Sequence, residues 1–407
     1  MPRPPVLIAI LIFCGIFLLA GCVPAAATFT PYPTFTPLTG FQVLGVRTRT
    51  PAPPTSTATS LPTVLIGMPT SLPTDAPIRL PAATASPAPT AAGEGGLVTM
   101  IFTGQIVPAR CIQAETKIRG EADYIYDAVR DILMAADLTV GTLNAALTDF
   151  PPGTGCVETF VLYGGSIQAD GMANAGFDVM SVATNHIKNC GLTSCGDRAF
   201  LDTLDNLHRV GILPVGAGLT LGEATSPLVV EVRGTRFVFL SLGQIEEQAF
   251  AGTNSPGIGP LTEETLRAGI AAAQALGDVI ILLPHWGPEY SHYPNPSQID
   301  LAQVAVEAGV DLIVGNHTHY IQAYVEMGGV PVFFGLGNFV FDQAQEPQRQ
   351  HSLILRVVFD GDRLVSFDVI PVVNSPTGPV RVANNDEAVD IFGGIQAVNA
   401  DVQEDLP

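Results

Sequence analysis

The chain has 407 residues and a formal net charge of −20 at pH 7, and its composition divides it into two parts. Residues 23–93 contain 14 Pro and 15 Thr but only four charged residues, and they have too little apolar surface to form a core. The globular part is therefore residues 94–407, which carry a formal charge of −23. Such a surface repels phosphate backbones, so nucleic acid is excluded as a partner, and any anion site needs a locally positive group such as a metal.

The first residues are typical of an export signal. Arg3 precedes an uncharged run over residues 6–20, which is shorter than the roughly 20 residues that span a bilayer. The tetrad Leu-Ala-Gly-Cys that ends at Cys22 resembles the lipobox of bacterial lipoproteins, which implies cleavage before Cys22 and lipidation of its thiol. A plain signal peptide or an uncleaved anchor is the alternative. We predict a signal over residues 1–22, an unordered stalk over residues 23–93, and a lipid-anchored domain on the extracytoplasmic face of a bacterial membrane.

Four cysteines lie in the globular part, and an exported location favours disulfides over free thiols. We predict a short disulfide between Cys190 and Cys195 and a longer one between Cys111 and Cys156. The alternative is that Cys111 or Cys190 ligates a metal as a thiolate.

Strand and helix patterns alternate through most of the globular part. Short buried-strand patterns cover residues 97–103, 138–141, 179–183, 237–242, 279–283 and 312–314. Helical periodicity covers residues 121–136, 197–209, 263–276 and 296–308. The alternation predicts an α/β fold with largely parallel strands.

The pattern changes towards the end of the chain, where strands follow strands. They cover residues 324–326, 330–334, 339–341, 352–359 and 364–369, with turns between them. This succession predicts an antiparallel portion. Residues 376–407 show little pattern and are predicted to be a loop-rich tail, so that the folded domain covers residues 94–375.

Polar clusters directly follow five of the predicted strands. Side chains at the carboxyl ends of strands line the crevice where α/β sheets bind ligands. The five clusters contain four of the seven histidines and are Gly104-Gln105, Thr142-Leu143-Asn144, Thr184-Asn185-His186, His285-Trp286-Gly287 and Gly315-Asn316-His317-Thr318-His319. Imidazoles and amide oxygens that come from separate strands predict a site for a borderline divalent metal, Zn, Mn or Fe.

Four ordered motifs in this part resemble the CapA family of capsule or poly-γ-glutamate synthesis proteins, over roughly residues 97–371. Their central residues are Ala183-Thr184-Asn185-His186, Pro284-His285-Trp286-Gly287-Pro288-Glu289-Tyr290, Gly315-Asn316-His317-Thr318-His319 and Gly335-Leu336-Gly337-Asn338-Phe339. The resemblance implies a four-layer α/β/β/α sandwich of the metallophosphatase (calcineurin-like phosphoesterase) type, with the site between the two sheets. It also implies a role in making or anchoring poly-γ-glutamate at the cell surface.

The chain departs from the family pattern at three carboxylates. Gln105 and Asn189 stand where the family has Asp, and Asn144 stands where it has Glu. An amide oxygen can coordinate a cation but brings no charge, so two metals held by amides would repel each other without compensation. We therefore predict at most one tightly bound metal.

The remaining family ligands are present in this chain. The resemblance implies that His285, His317 and Asn185 hold the metal, with Asn144 or a water completing the shell. His319 belongs to the other half of the metal site, which is weakened because Gln105 stands there in place of a carboxylate.

The resemblance also implies a catalytic group made of His186, Asn185 and Arg110. His186 would orient a substrate oxygen or act as a general acid, with Asn189 in place of the Asp that holds it in the family. Glu289 is the nearest surviving carboxylate by motif, either as a neighbour of a ligand or as a surface residue.

Two functions follow from these residues. The first is a surface-anchored CapA-like protein with a degraded metal site, which acts in polymer synthesis or anchoring by binding. Its partners would be the membrane and an anionic envelope polymer or a membrane-bound synthesis complex. The second is an active metal-dependent hydrolase that cleaves a phosphoester or amide bond. The amide substitutions favour the first function, and the question of enzymatic activity stays open at this point.

Overall fold

Two β-sheets face each other at the centre of the fold and carry helices on their outer faces. The computed structural model describes residues 44–45, 96–150, 155–189, 196–245 and 247–405. The predicted signal, the lipidation site Cys22 and the pair Cys190 and Cys195 lie outside the described residues. Of the predicted stalk, the structure describes only Leu44–Gly45, which forms a two-residue strand.

Sheet I has eight strands and combines parallel and antiparallel pairs. Four parallel strands form one half, and three antiparallel strands form the other. In spatial order they are Leu213–Val215, Val179–Ser181, Leu138–Leu143, Leu97–Ile106, His351–Asp360, Arg363–Asn374 and Val380–Val382, with Asn338–Val340 pairing separately to Leu97–Ile106.

Sheet II has seven strands, of which the central four are parallel. In spatial order they are Leu44–Gly45, Leu228–Val232, Thr235–Gly243, Val279–His285, Leu312–Val314, Val330–Phe333 and Tyr324–Met327. Two short pairs lie outside the sheets, Ala146–Leu147 with Tyr163–Gly164 and Ala217–Gly218 with Gly257–Ile258.

Successive side chains of a strand point to opposite faces of its sheet, and those on the inner faces form the core between the two sheets. Met100 and Phe102 pack against sheet II, whereas Ile101 between them packs against the outer helices. In sheet II, Phe237 and Phe239 face sheet I. Because central strands such as Leu138–Leu143 and Val279–His285 are covered on both faces, their sequences read as continuous apolar runs rather than as alternating ones.

Helices complete the two outer layers. Sheet I is covered by Arg110–Arg119, Arg130–Met134, Ile167–Ala175 and Arg198–Val210, and sheet II by Glu263–Gln274 and Pro296–Ala308. A further short helix covers Leu221–Ala224. The layers therefore confirm the predicted four-layer α/β/β/α sandwich. Within the described part of the chain, no helix is both long and apolar enough to cross a membrane.

The predicted helix over residues 121–136 is wrong in its extent. A 3₁₀ turn covers Asp123–Ile125, and the α-helix covers only Arg130–Met134. Tyr124, Ile125 and Tyr126 are consecutive and all buried. Three successive side chains cannot lie on one face of a helix, so the burial of this segment does not follow the pattern of a regular surface helix.

The predicted loop-rich tail over residues 376–407 is also wrong. The chain forms the strand Val380–Val382 and the 21-residue helix Asn385–Asp405. The helix buries a stripe of apolar residues against both sheets, namely Ile391, Ile395, Val398 and Val402. Gly393 and Gly394 lower the helix propensity in the middle of this segment, so tertiary packing stabilises a helix that its local sequence disfavours.

A disulfide joins Cys111 to Cys156, which confirms the longer predicted pair. It ties the start of the helix Arg110–Arg119 to the loop that precedes Tyr163–Gly164. The two cysteines are 45 residues apart, so the bond closes a long loop in the unfolded chain.

Replacing Cys111 by Ser is expected to lower the free energy of unfolding by about 2–4 kcal/mol, because the unfolded chain regains the entropy of the closed loop. Urea unfolding of the wild-type and variant chains measures this difference. Reduction of the Cys111–Cys156 disulfide in the wild-type chain should lower the free energy of unfolding by a similar amount. Equal stability of the two chains would show that the bond restrains nothing in the unfolded state.

Candidate functional site

Polar side chains from both sheets meet at the carboxyl ends of the parallel strands. Gln105 and His285 lie in the last residues of their strands, and Asn144 directly follows its strand. Asn185 lies four residues beyond Val179–Ser181, and the segment 316–319 begins two residues beyond Leu312–Val314. The two sheets are linked there by hydrogen bonds between side chains, from Asn316 Nδ2 to Thr142 Oγ1 at 2.9 Å and between Ser181 Oγ and Ser241 Oγ at 2.8 Å. The structure therefore brings the sequence-predicted residues together in the crevice where the sheets meet.

Two imidazoles and one amide converge in the first group of this site. His285 Nε2 lies 2.9 Å from Asn185 Oδ1 and 3.1 Å from His317 Nδ1. All three side chains are buried. Burial lowers the pKa of His317 to about 3 and the pKa of His285 well below its usual value, so both rings are neutral and keep the lone pairs that a metal requires.

A second group surrounds Gln105. Its Nε2 donates to Asn338 Oδ1 at 2.9 Å and also contacts His319 Nδ1, while its Oε1 accepts from Asn144 Nδ2 at 3.3 Å. His319 Nδ1 lies 2.9 Å from the same Asn338 oxygen. The amides are thus bonded to one another and to His319. The sequence motif contained Asn338, but its role in this group was not predicted.

His186 is held by two asparagines. Its backbone N–H donates to Asn144 Oδ1 at 3.0 Å, and its Nδ1 lies 2.6 Å from Asn189 Oδ1, which also accepts from the N–H of Leu162. Burial lowers the pKa of His186, and the bond to Asn189 opposes that shift. Because the Asn189 oxygen accepts, Nδ1 carries the proton, and a neutral ring leaves Nε2 as the basic nitrogen.

Arg110 lies in the wall of the site and is neutralised by Asp342. Its Nε is 2.9 Å and 3.1 Å from the two carboxylate oxygens, and its Nη1 donates to the carbonyl of Thr159 at 3.2 Å. Asp342 also accepts from the N–H of Cys111. The guanidinium is therefore engaged by the protein, which leaves it few donors for a substrate.

Backbone strain is concentrated at this site. In the described residues, five residues other than glycine have a positive φ, and four of them are Arg110, Tyr290, His317 and His319, with φ between 50° and 107°. The left-handed region is costly for such side chains and persists where the surrounding structure enforces it, which is common at functional sites.

A cleft of about 340 Å³ opens beside the histidines. On its wall, Tyr290 stacks on His319 with ring centroids 5.2 Å apart, and Glu289 Oε1 lies 3.7 Å from His319 Nε2. The contact with His319 lowers the pKa of Glu289 to about 2. Glu289 is thus a partly exposed neighbour of His319.

The donor atoms that converge at this site come from two histidines and one asparagine. In the described chain, no group of three or more His, Cys, Asp or Glu residues is arranged to hold a metal. The converging atoms are those of His285, His317 and Asn185, all neutral, and the buried Nδ1 of His285 lacks a hydrogen-bond partner among the described residues. Metal-ligating histidines usually donate that proton to an acceptor, so even this half of the site is incomplete.

Comparisons with known proteins identify the same family as the four sequence motifs. A family model described as "Bacterial capsule synthesis protein PGA_cap" matches residues 99–343. The chain is 29% identical over 255 residues to the PGA biosynthesis protein CapA of Bacillus subtilis (strain 168), covering 62% of this chain and 66% of that protein. It is 28% identical over 293 residues to the capsule biosynthesis protein CapA of Bacillus anthracis, covering 70% and 69%. The chain therefore spans about two thirds of the length of these relatives.

One solved structure illustrates a more distant likeness. A 5'-nucleotidase precursor from Thermus thermophilus is 14% identical, with a TM-score of 0.44 over 74% of this chain and 59% of that chain.

Proposed function

Because the chain belongs to the family of bacterial capsule synthesis proteins that the matching model describes, we propose that it acts in the synthesis or anchoring of a poly-γ-glutamate type polymer at the cell surface. In this proposal a lipid on Cys22 holds the domain on the extracytoplasmic face of the membrane. The site acts by binding polymer, or a membrane-bound synthesis complex, rather than by hydrolysis.

The amide network carries this proposal. Gln105 and Asn144 hydrogen-bond to each other, and Gln105 also bonds to Asn338, at the position where family members hold a metal with carboxylates. These contacts are satisfied without a metal and supply no negative charge. A second cation would therefore displace good hydrogen bonds and meet uncompensated repulsion from the first.

A single weakly held cation remains compatible with the site. His285, His317 and Asn185 would bind Zn, Mn or Fe, and such a metal would polarise an oxygen atom of a bound ligand. The neutral ring of His186 would accept a hydrogen bond from that ligand at Nε2, and only after protonation of Nε2 would it orient a ligand oxygen or act as a general acid. With Asn189 instead of a carboxylate behind it, the imidazolium gains little stabilisation, so proton transfer is weak.

His317→Ala is expected to abolish the binding of this cation, because it removes one of three converging donors. The purified full-length chain is incubated with excess Mn or Zn, and metal content is measured together with hydrolysis of an aryl phosphate. We expect the wild type to retain at most one equivalent and to show no hydrolysis. His208→Ala is the matched control, because His208 lies on the outer helix Arg198–Val210.

Two tightly bound equivalents, with hydrolysis that His317→Ala abolishes, would replace the binding function by that of a metal-dependent hydrolase acting on a phosphoester or amide bond. The role in polymer assembly has its own test. Cells that lack the gene should lose surface polymer, and the wild-type chain should restore it. Unchanged polymer in the deletion strain would contradict that role.

A further inference from the structure

Two arginines line the cleft beside the histidines, and they differ in their partners. Arg110 is occupied by Asp342 and the carbonyl of Thr159. Arg349 comes from the 3₁₀ turn Pro347–Gln350, and its buried Nε has no hydrogen-bond partner among the described residues. A buried donor of a charged group without a partner is costly, so it points to a ligand that would accept from it.

Arg349 is nevertheless held in a fixed position. Its guanidinium carbon lies 3.9 Å from the centre of the Tyr290 ring, and its side chain is only 18% exposed. Its backbone carbonyl accepts from Asn338 Nδ2 at 2.8 Å, which ties the turn to the site. A stacked guanidinium loses little conformational freedom when it binds an anion, so Arg349 is preorganised as a hydrogen-bond donor.

The nearest carboxylate does not satisfy this donor. Glu346 Oε2 lies 3.6 Å from Arg349 Nε, which is longer than a hydrogen bond, and the same oxygen accepts from the hydroxyl of Tyr320.

We propose that Arg349 binds a carboxylate of an acidic, amide-linked chain in this cleft. The inference rests on the proposed function and names the group that recognises the polymer. A planar carboxylate matches the fork of donors on a guanidinium. The cleft also presents the aromatic rings of Phe160 and Phe341 and the amide of Gln345, which suit the methylene and amide groups of such a chain.

The charges around the cleft favour a carboxylate over a phosphate. Arg110 is neutralised by Asp342, and Glu158 and Glu289 also line the cleft. With Glu346 near Arg349 as well, these carboxylates would repel a phosphate dianion more strongly than a singly charged carboxylate. The volume of about 340 Å³ lies within the range of small-ligand sites, roughly 300–1,000 Å³.

Calorimetric titration of the full-length chain with a short γ-linked glutamate oligomer tests this assignment. Arg349→Gln should weaken binding by about tenfold or more, because a charge-assisted hydrogen bond is lost. Arg349→Lys should recover part of the binding, since lysine keeps the positive charge but lacks the paired N–H donors of the guanidinium. The matched control is Arg356→Gln, because Arg356 pairs with Asp368 on exposed strands and should leave binding unchanged.

Two further probes identify the group that is bound. The same oligomer with its carboxylates converted to amides should bind weakly and be insensitive to Arg349→Gln. Inorganic phosphate should bind more weakly than the acidic oligomer, and tighter binding of phosphate overturns the choice of carboxylate. Thermal unfolding checks that each variant is folded.

The outcomes separate this inference from the proposed function. If the wild type binds the oligomer and Arg349→Gln binds it equally well, the assignment of Arg349 is wrong and the proposed function stands. If the wild type binds no oligomer, the inference is wrong, and the proposed role in polymer assembly is decided separately by the surface polymer of the deletion strain.

Discussion

A variant with Gln105→Glu and Asn144→Asp is expected to bind two metal ions and to depend on them for stability. The two substitutions restore negative charge at positions where the family has carboxylates, and they leave the shape of the side chains almost unchanged. We expect metal content to rise from at most one equivalent to two. Without metal, we expect the variant to be less stable than the wild type by several kcal/mol, because buried carboxylates are costly without cations.

The contacts of Gln105 explain the loss in the metal-free state. Its Nε2 donates to Asn338 Oδ1, and a glutamate places an acceptor against that oxygen. Asn338 cannot turn its amide without breaking the bond from its Nδ2 to the carbonyl of Arg349. A bound cation removes this conflict, because the carboxylate oxygens then face a positive charge.

Thermal unfolding with and without Mn or Zn, together with metal analysis, measures both effects. At a free metal concentration 100 times the dissociation constant, the gain from binding is about 2.7 kcal/mol. Gln168→Glu is the control, because Gln168 is also fully buried but lies in the outer helix Ile167–Ala175, bonded to Thr116. It should lose stability without recovery by metal. If metal restores the stability of both variants, or of neither, the amides of Gln105 and Asn144 do not limit metal binding.

The central strands could be predicted because their residues are buried on both faces. All eleven predicted strands overlap strands of the structure, although several extend further, as Leu97–Ile106 does. The helix Pro296–Ala308 was predicted at its full length, since it begins with Pro after a capping Asn295 and ends before Gly309.

Four α-helices of the described residues do not follow from the sequence pattern, namely Arg110–Arg119, Ile167–Ala175, Leu221–Ala224 and Asn385–Asp405. In the first and the last of them, tertiary contacts supply the stability. Arg110–Arg119 is mostly polar and has Ile112 as its main buried apolar residue. Asn385–Asp405 contains two adjacent glycines and depends on packing against both sheets. Propensity and periodicity are weak in both segments, so no local pattern indicated a helix there.

At the site, sequence identified the residue types but not their partners. Strand ends predicted that Gln105, Asn144, Asn185 and the histidines would meet, and the structure brings them together. The bond between Gln105 and Asn338 and the stacking of Arg349 on Tyr290 join segments more than 50 residues apart in the chain. Such contacts depend on how the two sheets pack, which no local pattern encodes.

The pair of Arg110 and Asp342 should contribute strongly to stability, and Asp342→Ala is expected to lower the free energy of unfolding by about 3–5 kcal/mol. Both side chains are nearly fully buried, at 8% and 4% exposure. Removal of the carboxylate leaves the guanidinium charged inside the protein and also frees the N–H of Cys111. Urea unfolding of the wild-type and variant chains measures the loss.

Asp368→Ala is the matched control for this prediction. Asp368 pairs with Arg356 through two short hydrogen bonds, but both side chains are about half exposed, so the loss should be only about 0–1 kcal/mol. The double variant Arg110→Met with Asp342→Ala should recover most of the stability, because it removes the uncompensated charge together with its partner. If the double variant is no more stable than Asp342→Ala, the loss comes from disturbed packing near Cys111 and not from the buried charge of Arg110.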